Sequence, residues 1–300
     1  MTAFSGVAGI SGPVRALFAD AGLEANDVER VVRLALDEDL VGGADVTTEA
    51  AVPESHESVG DVVARAAGVA AGVPVAATVF DAVLAGRGRV APGMPDGQRV
   101  APGGVALSVA GPTRALLTAE RSALNLLCHL SGVATVTRRF VDAVAGTGAT
   151  IRDTRKTTPG LRALEKYAVR QGGGSNHRMG LTDQALVKDN HVRAAGGVVQ
   201  ALDAVRAAHP DVACEVECDT VAQVREAVDA GARLVLFDNM SLDEMREAVS
   251  LARAHGVATE ASGGVTLRTA ADVAATGVDY IAVGALTHSA PALDFGLDLR

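Results

Sequence analysis

Apolar positions in the first forty residues recur with a helical period. Val14, Leu17 and Phe18 are followed, after the Asn26-Asp27 start signal, by Val28, Val31, Val32, Leu34 and Ala35. That spacing predicts helices with one apolar face over residues 13–40. The segment EDLVGGADVTTEAAVPE reads as a loop from its Gly, Asp and Thr content. From about Val59 to Val109 the texture becomes Val-rich: VGDVVARA, GVPVAATVF, GRV and GQRVAPGGVALSVAG alternate with Gly and Pro turns. This predicts a small antiparallel sheet with a helix across it. PTRALLTAERSALNLLCHLSGVATVTRRFVDAVAG then predicts long helices, with Pro112 near a start and Gly146 at a stop.

From Thr150 the pattern is regular. Six short apolar runs, ATIRDTRK, ALVKDN, ACEVECD, RLVLFDN, ATEASGG and DYIAVGAL, each end in polar or glycine residues. Helix-like stretches such as VVQALDAVRAAH, TVAQVREAVDAG, LDEMREAVSLARAHG and TLRTAADVAATG separate them. Strand alternating with helix means βαβ units and a parallel sheet. Six such runs with no switch in pattern predict a closed or nearly closed α/β barrel.

Composition narrows the partners. Three hundred residues, 48% apolar and 21% charged, suit one large or two ordinary domains with ample core, not disorder. A net charge of −9 argues against nucleic acid and anionic membrane as partners. Aromatics at 3% and the absence of Trp leave little for base stacking. Cys128, Cys214 and Cys218 form no CxxC and read as buried thiols. The N-terminal MTAFSGVAGISGP lacks the charge and apolar run of a signal peptide, and no apolar run is long enough to span a bilayer. A cytoplasmic protein is expected.

Against that acidic background one stretch is basic. Ile151–Val192 holds Arg152, Arg155, Lys156, Arg162, Lys166, Arg170, Arg178 and Lys188 against Asp153, Glu165, Asp183 and Asp189, with His177 and His191 among them. Local positive charge beside glycine-rich turns suggests a pocket for a small anion. In α/β barrels the site lies at the carboxyl ends of the strands. By the period-2 rule Glu215, Glu217 and Asp219 share one face of their strand, looking into the barrel mouth, and Leu234, Leu236 and Asp238 share one face of the next. Glu217 and Asp238 then suit Mg²⁺ or a developing cation, or are internal salt-bridge partners of the bases. The Gly263-Gly264 and Gly284-Ala285 turns fall where barrels bind phosphate on backbone N–H groups. Arg162, Lys166 and Arg170 recur at helical spacing and equally describe a solvated face. His129 reads as a core histidine, and His56, His209 and His255 as surface.

RDTRKTTPGLRALEKYAVRQGGGSNHRMGL, LVKDNHV, EVECDT, LFDN, EASGGV and DYIAVGALTHS, in this order, closely resemble the quinolinate phosphoribosyltransferase family. ALDEDLVGGADVTT and TAERSALNLLCHLSGVAT resemble its N-terminal portion, so the likeness covers nearly the whole chain. The resemblance implies an α/β fold of the type II phosphoribosyltransferase kind: an N-terminal α/β sandwich over 1–128, with the tail 288–300, and an incomplete, six-stranded α/β barrel over 129–287. It implies transfer of phosphoribosyl from phosphoribosyl pyrophosphate to quinolinate with decarboxylation, with Mg²⁺, in NAD synthesis. Carried over by motif, Arg155, His177, Arg178 and Lys188 bind the quinolinate carboxylates, with Arg121 reaching in from the partner subunit of a homodimer with shared sites. Lys156 meets phosphoribosyl pyrophosphate and is catalytic together with Glu217 and Asp238, which also serve Mg²⁺. Ser262, Gly263, Gly264, Gly284 and Ala285 hold the 5′-phosphate. The alternatives are a relative acting on another pyridine acid, such as nicotinate, without decarboxylation, and a non-catalytic anion-binding relative.

Overall fold

The helical period of the first forty residues resolves into two helices in the computed structural model, which describes residues 10–300. Most of the stretch read as lacking a signal peptide lies outside the described residues. Helix α1 (Gly12–Ala21) stops at Gly22, whose φ of 63° ends the helix at no steric cost. Helix α2 (Ala25–Asp39) buries Val28, Val31, Val32 and Leu36, while Leu34 faces solvent. The expected loop after it contains a helix, α3 (Val46–Ala51). Its cause is a cap: the Asp45 carboxylate accepts the Thr48 N–H at 3.0 Å.

Strand β1 (Glu57–Ala64) and strand β2 (Gly68–Val69) precede a second correction. GVPVAATVF, grouped above with the strand-like pieces, is the start of helix α4 (Val73–Leu84), every residue of which is buried except Asp81. A helix that is apolar all round shows no 3.6 period, so its valines imitate a buried strand. Asp96 fixes its start, accepting the N–H groups of Gly72 at 2.7 Å and Val73 at 3.0 Å together with the Tyr167 hydroxyl at 2.5 Å. Strands β3 (Arg89–Pro92), β4 (Arg99–Val100) and β5 (Val105–Pro112) follow. The expected helices beyond are one helix, α5 (Thr113–Ala143), of 31 residues.

The rest of the chain alternates: strand β6 (Thr150–Arg152), helix α6 (Arg162–Gln171), strand β7 (Ala185–Val187), helices α7 (Asp189–Ala195) and α8 (Val198–Ala208), strand β8 (Cys214–Cys218), helix α9 (Val221–Asp229), strand β9 (Leu234–Asp238), helix α10 (Leu242–Ala254), strand β10 (Ala258–Ser262), helix α11 (Ala270–Ala274), strand β11 (Tyr280–Ala282), helix α12 (Ala285–His288) and strand β12 (Phe295–Leu299).

Contacts divide these elements into two units. The first comprises residues up to Val136, Thr158–Gly173 and Ser289–Arg300; the second comprises Thr137–Thr157 and Gly174–His288. The division falls on α5 a little beyond the expected residue 128, and α6 groups with the first unit instead of with the strands on either side of it. Its buried residues explain this. Tyr167 bonds Asp96, and Glu165 binds both His129 Nε2 at 2.9 Å and the Thr158 N–H at 3.0 Å. Lys166, expected on a solvated face or in a site, is fully buried because α6 is covered from Leu164 to Val169.

In the first unit an antiparallel sheet runs β12-β1-β5-β3, and β2 pairs with β4. In the second unit six parallel strands run β6-β11-β10-β9-β8-β7. Consecutive strands β6 and β7 end at opposite edges of that order, which is an α/β barrel left open between its first two strands. Cys218 on β8 is fully buried, and burial pushes its thiol up to about 12. No disulfide is formed by Cys128, Cys214 or Cys218. Among the described residues no helix is long and apolar enough to cross a membrane.

Candidate active site

The register of the parallel sheet sets the site in layers. Glu217 on β8 pairs with Leu236 on β9, and Leu236 with Glu260 on β10; one step on, Asp238 pairs with Ser262. Because alternate residues share a face, both rows look the same way. All five residues line a cavity of about 390 Å³ at the carboxyl ends of the strands, completed by Thr154, Arg155, Lys156, His177, Arg178, Leu186, Lys188 and Ala282. A cavity of equal volume in the first unit, lined by residues including Leu17, Val73, Met94 and Tyr167, has Asp96 as its one charged residue. It offers an acid nothing to bind.

Of the residues picked from sequence, Arg155, Lys156, His177, Arg178, Lys188, Glu217, Asp238 and Ser262 are thus brought together within the second unit. Gly263 and Gly264 continue directly from Ser262, and Gly284 and Ala285 follow β11, but none of the four lines the cavity. Arg121 is exposed on α5 in the first unit and is not a lining residue. Of the three carboxylates on one face of β8, only Glu217 reaches the cavity; Glu215 is buried beneath it and Asp219 is exposed.

One half of the pocket is cationic. Arg178 sends Nη1 to the Gln184 carbonyl at 3.0 Å. Burial, and after it the charge of Arg155, hold the Arg178 guanidinium below its ordinary value. Arg155 Nε is buried with no acceptor in the protein. Two neighbouring guanidiniums with a donor to spare form a receptor for carboxylate. Lys188 Nζ meets Glu217 Oε2 at 3.0 Å, so the salt-bridge reading of Glu217 is realised, with Lys188 as its partner. Asp238 accepts from the Asn239 side-chain amide at 2.9 Å.

Local backbone holds these groups in place. The NHR segment lies along the end of β6: Ser175 N donates to Ile151 O at 2.9 Å, and fully buried Asp153 accepts the His177 N–H at 2.9 Å and the Asn176 side chain. The Lys156 carbonyl accepts from Thr287 Oγ1 at 2.8 Å, and the lysine stem rests on Gly284, where a Cβ would come within 3.1 Å of it. Gly263 has φ 95°, and a Cβ there would stand 2.2 Å from Asn239 Oδ1. The β9 and β10 ends interlock only because this residue lacks a side chain.

Beneath the pocket lies a charged floor that sequence reasoning named only in part. Glu215 and Glu260 are both fully buried. Arg152 Nη1 donates to Glu260 Oε2 at 2.6 Å, and its guanidinium sits 4.2 Å over the Tyr280 ring. His177 Nε2 is 2.8 Å from Glu215 Oε2 and 3.5 Å from Glu260 Oε1; only the first contact is a hydrogen bond. Burial first, then the Glu215 charge, push the Glu260 carboxyl above its ordinary range. Glu260 was missed although it precedes Ser262 by two on the same strand, the same alternation that placed Glu215 and Glu217 on one face of β8. Arg152 and Gln184 carried no such signal.

Comparison with known proteins identifies the family. Residues 133–298 match the family model described as quinolinate phosphoribosyl transferase, C-terminal domain, and residues 45–131 match its N-terminal domain. The nicotinate-nucleotide pyrophosphorylase [carboxylating] of Mycobacterium leprae is 55% identical over 271 residues, 89% of this chain and 95% of that protein. A probable nicotinate-nucleotide pyrophosphorylase [carboxylating] of Bacillus subtilis is 42% identical over 86% of this chain and 89% of its own. The solved nicotinate-nucleotide pyrophosphorylase of Francisella tularensis superposes with a TM-score of 0.88 at 36% identity, covering 93% of this chain and 98% of that one.

Proposed function

The chain belongs to the quinolinate phosphoribosyltransferase family, and we propose that the pocket of its second unit is where phosphoribosyl pyrophosphate and quinolinate meet. It is a phosphoribosyltransferase of NAD biosynthesis: phosphoribosyl passes to quinolinate with decarboxylation, giving nicotinate mononucleotide, pyrophosphate and CO₂. The observation that carries the site reading is the pairing of Arg155 with Arg178, whose guanidinium is held below its ordinary value by burial and then by the Arg155 charge, in one cavity with Lys188, Glu217 and Asp238.

Quinolinate presents two carboxylates and a ring nitrogen. Arg155, Arg178 and Lys188 grip the carboxylates, which orients the nitrogen toward the anomeric carbon. The N–C bond forms as the bond to pyrophosphate breaks, and positive charge develops on the ribose. Glu217 and Asp238, the carboxylates of the opposite wall, stabilise it without a protein nucleophile. The ring, now cationic at nitrogen, stabilises the electron pair left on the adjacent carbon when CO₂ departs, and that pair takes up a proton in place of the lost carboxylate. Lys156, whose stem is fixed on Gly284, reaches the phosphoribosyl pyrophosphate, with Ser262 and the Gly263, Gly264, Gly284 and Ala285 turns at its 5′-phosphate.

Mg²⁺ suits this wall. Glu217 and Asp238 are oxygen donors on adjacent strand ends opening on the same cavity, and Mg²⁺ is commonly held by one or two carboxylates together with substrate phosphates. Bound there, it would supply positive charge to the leaving pyrophosphate. The reading also has Arg121 acting from a second copy, in a homodimer with shared sites, and places the enzyme in the cytoplasm, where free thiols such as Cys128 and Cys214 persist. A CO₂-release assay with quinolinate, phosphoribosyl pyrophosphate and Mg²⁺ tests the whole. Release dependent on all three, with nicotinate inert, is expected; nicotinate turned over equally well would overturn it.

A further inference from the structure

Arg178 and three residues around it close a ring of hydrogen bonds. The Arg178 backbone N–H donates to His177 Nδ1 at 2.7 Å. A ring nitrogen that accepts is unprotonated, so the proton of the imidazole is on Nε2. That Nε2–H donates to Glu215 Oε2 at 2.8 Å, and the same oxygen accepts from the Gln184 side-chain amide at 3.3 Å. The Gln184 carbonyl in turn accepts from Arg178 Nη1 at 3.0 Å. The ring therefore begins at the Arg178 backbone and ends at its guanidinium. His177 is 7% exposed and Glu215 fully buried, so water competes little for these bonds.

We propose that Glu215 and Gln184 are positioning residues for the acid-binding half of the pocket. They hold His177 as its neutral Nε2–H tautomer, and His177 in that state is a strut that aims Arg178 and not itself a cation on the substrate. The proposal rests on the reading that this pocket takes quinolinate, and it changes what His177 contributes: both ring nitrogens are already committed within the protein. Asp153 secures the same strut from the backbone side through the His177 N–H.

A metal reading of the floor is weaker. His177, Glu215 and Glu260 bring three potential ligand atoms within 4.8 Å of one another. A protonated Nε2 has no lone pair to offer a metal, and Arg152 already supplies Glu260 with a cation. The ring of hydrogen bonds supplies Glu215 Oε2 with two donors without an ion.

Two measurements test the proposal. Long-range ¹H–¹⁵N spectra of histidine-labelled protein without substrate should show one residue with protonated Nε2 and pyridine-like Nδ1 at pH ~7; His177→Gln assigns it. Protonated Nδ1, or an imidazolium at pH ~7, overturns the proposal. In kinetics, Glu215→Ala should raise the KM and Kd for quinolinate by ~10-fold or more through the loss of a buried acceptor, with the KM for phosphoribosyl pyrophosphate within ~2-fold. Glu215→Gln, which keeps an oxygen toward Nε2, should recover most of the loss, and Gln184→Ala should shift quinolinate alone in the same direction. Both KM values rising together, or no recovery with glutamine, overturns it. Should Glu215→Ala not fold, Gln184→Ala and the spectra decide. Because the spectra need no substrate, wild-type protein with the expected tautomer that fails to bind quinolinate overturns the pocket reading and leaves the tautomer upheld.

Discussion

Lys188→Ala separates binding from stability more sharply than any other change in the pocket. In the free protein Lys188 Nζ is 3.0 Å from Glu217 Oε2, with the two side chains 44% and 13% exposed. A pair of that exposure contributes no more than about 1 kcal/mol to folding. Glu217, once released, keeps contact with the solvent of an open cavity and avoids the cost of a buried orphan charge. The thermal midpoint should therefore fall by no more than about 3 °C. Binding is another matter. A charge-assisted hydrogen bond to a carboxylate is worth about 1.5–3 kcal/mol. Lys188 exchanges the Glu217 carboxylate for one on the ligand, so the net sits toward the middle of that range. About 2 kcal/mol corresponds to a ~30-fold weaker Kd. Titration calorimetry with quinolinate and scanning calorimetry of the same sample measure both quantities. Unchanged affinity refutes the role given to Lys188; a large loss of stability refutes the reasoning about the ion pair.

Other outcomes follow from the same geometry. Gly263→Ala, forced to φ 95° against Asn239 Oδ1, should cost ~2 kcal/mol or more in urea unfolding and raise the KM for phosphoribosyl pyrophosphate; an unchanged midpoint would count against the interlock of β9 and β10. Glu260 has a folded-state value raised by burial, from 4.5 to about 7, so the folded state favours its protonated form. That contribution is complete below the ordinary glutamate range and is lost as pH rises through about 7. Glu260→Gln should flatten the fall in stability across this window, and an identical pH slope in both proteins would contradict the sign. Arg121→Ala and Lys188→Ala proteins, each impaired at low quinolinate, should regain activity there when mixed and allowed to exchange subunits; confirmed exchange without recovery would rule out shared sites.

How far the sequence could be read depended on whether an element was one-sided. Strands β6 to β11 ended in polar residues and were separated by amphipathic helices, so their number and order were visible, as was the alternation that put Glu217 and Asp238 on the inner face. Helix α4 was opaque because it is buried all round and its valines have no period. Helix α3 was hidden in loop composition, its start depending on one Asp45 cap. Lys166 misled because charge predicts exposure only where a helix has an outer face. In the site, the residues that touch ligand in the proposed reading stood out as charges at strand ends. Glu260, Arg152 and Gln184 act on other protein groups, and such partnerships exist only once β6, β8 and β10 are gathered into one sheet.

Strand β12 closes the first sheet on β1, with Arg65 and Asp298 paired across 233 residues of chain. During synthesis β1 leaves the ribosome with one edge unsatisfied, and its partner is not made until the whole parallel unit has been translated. At ≈ 5–20 residues per second the delay is on the order of tens of seconds. The parallel unit can thus be complete while the earlier sheet still displays an open edge, the surface on which strands from neighbouring chains add. Chains crowded on one message are most exposed to misassembly in that interval, and the order of translation, more than the final stability, sets how long it lasts.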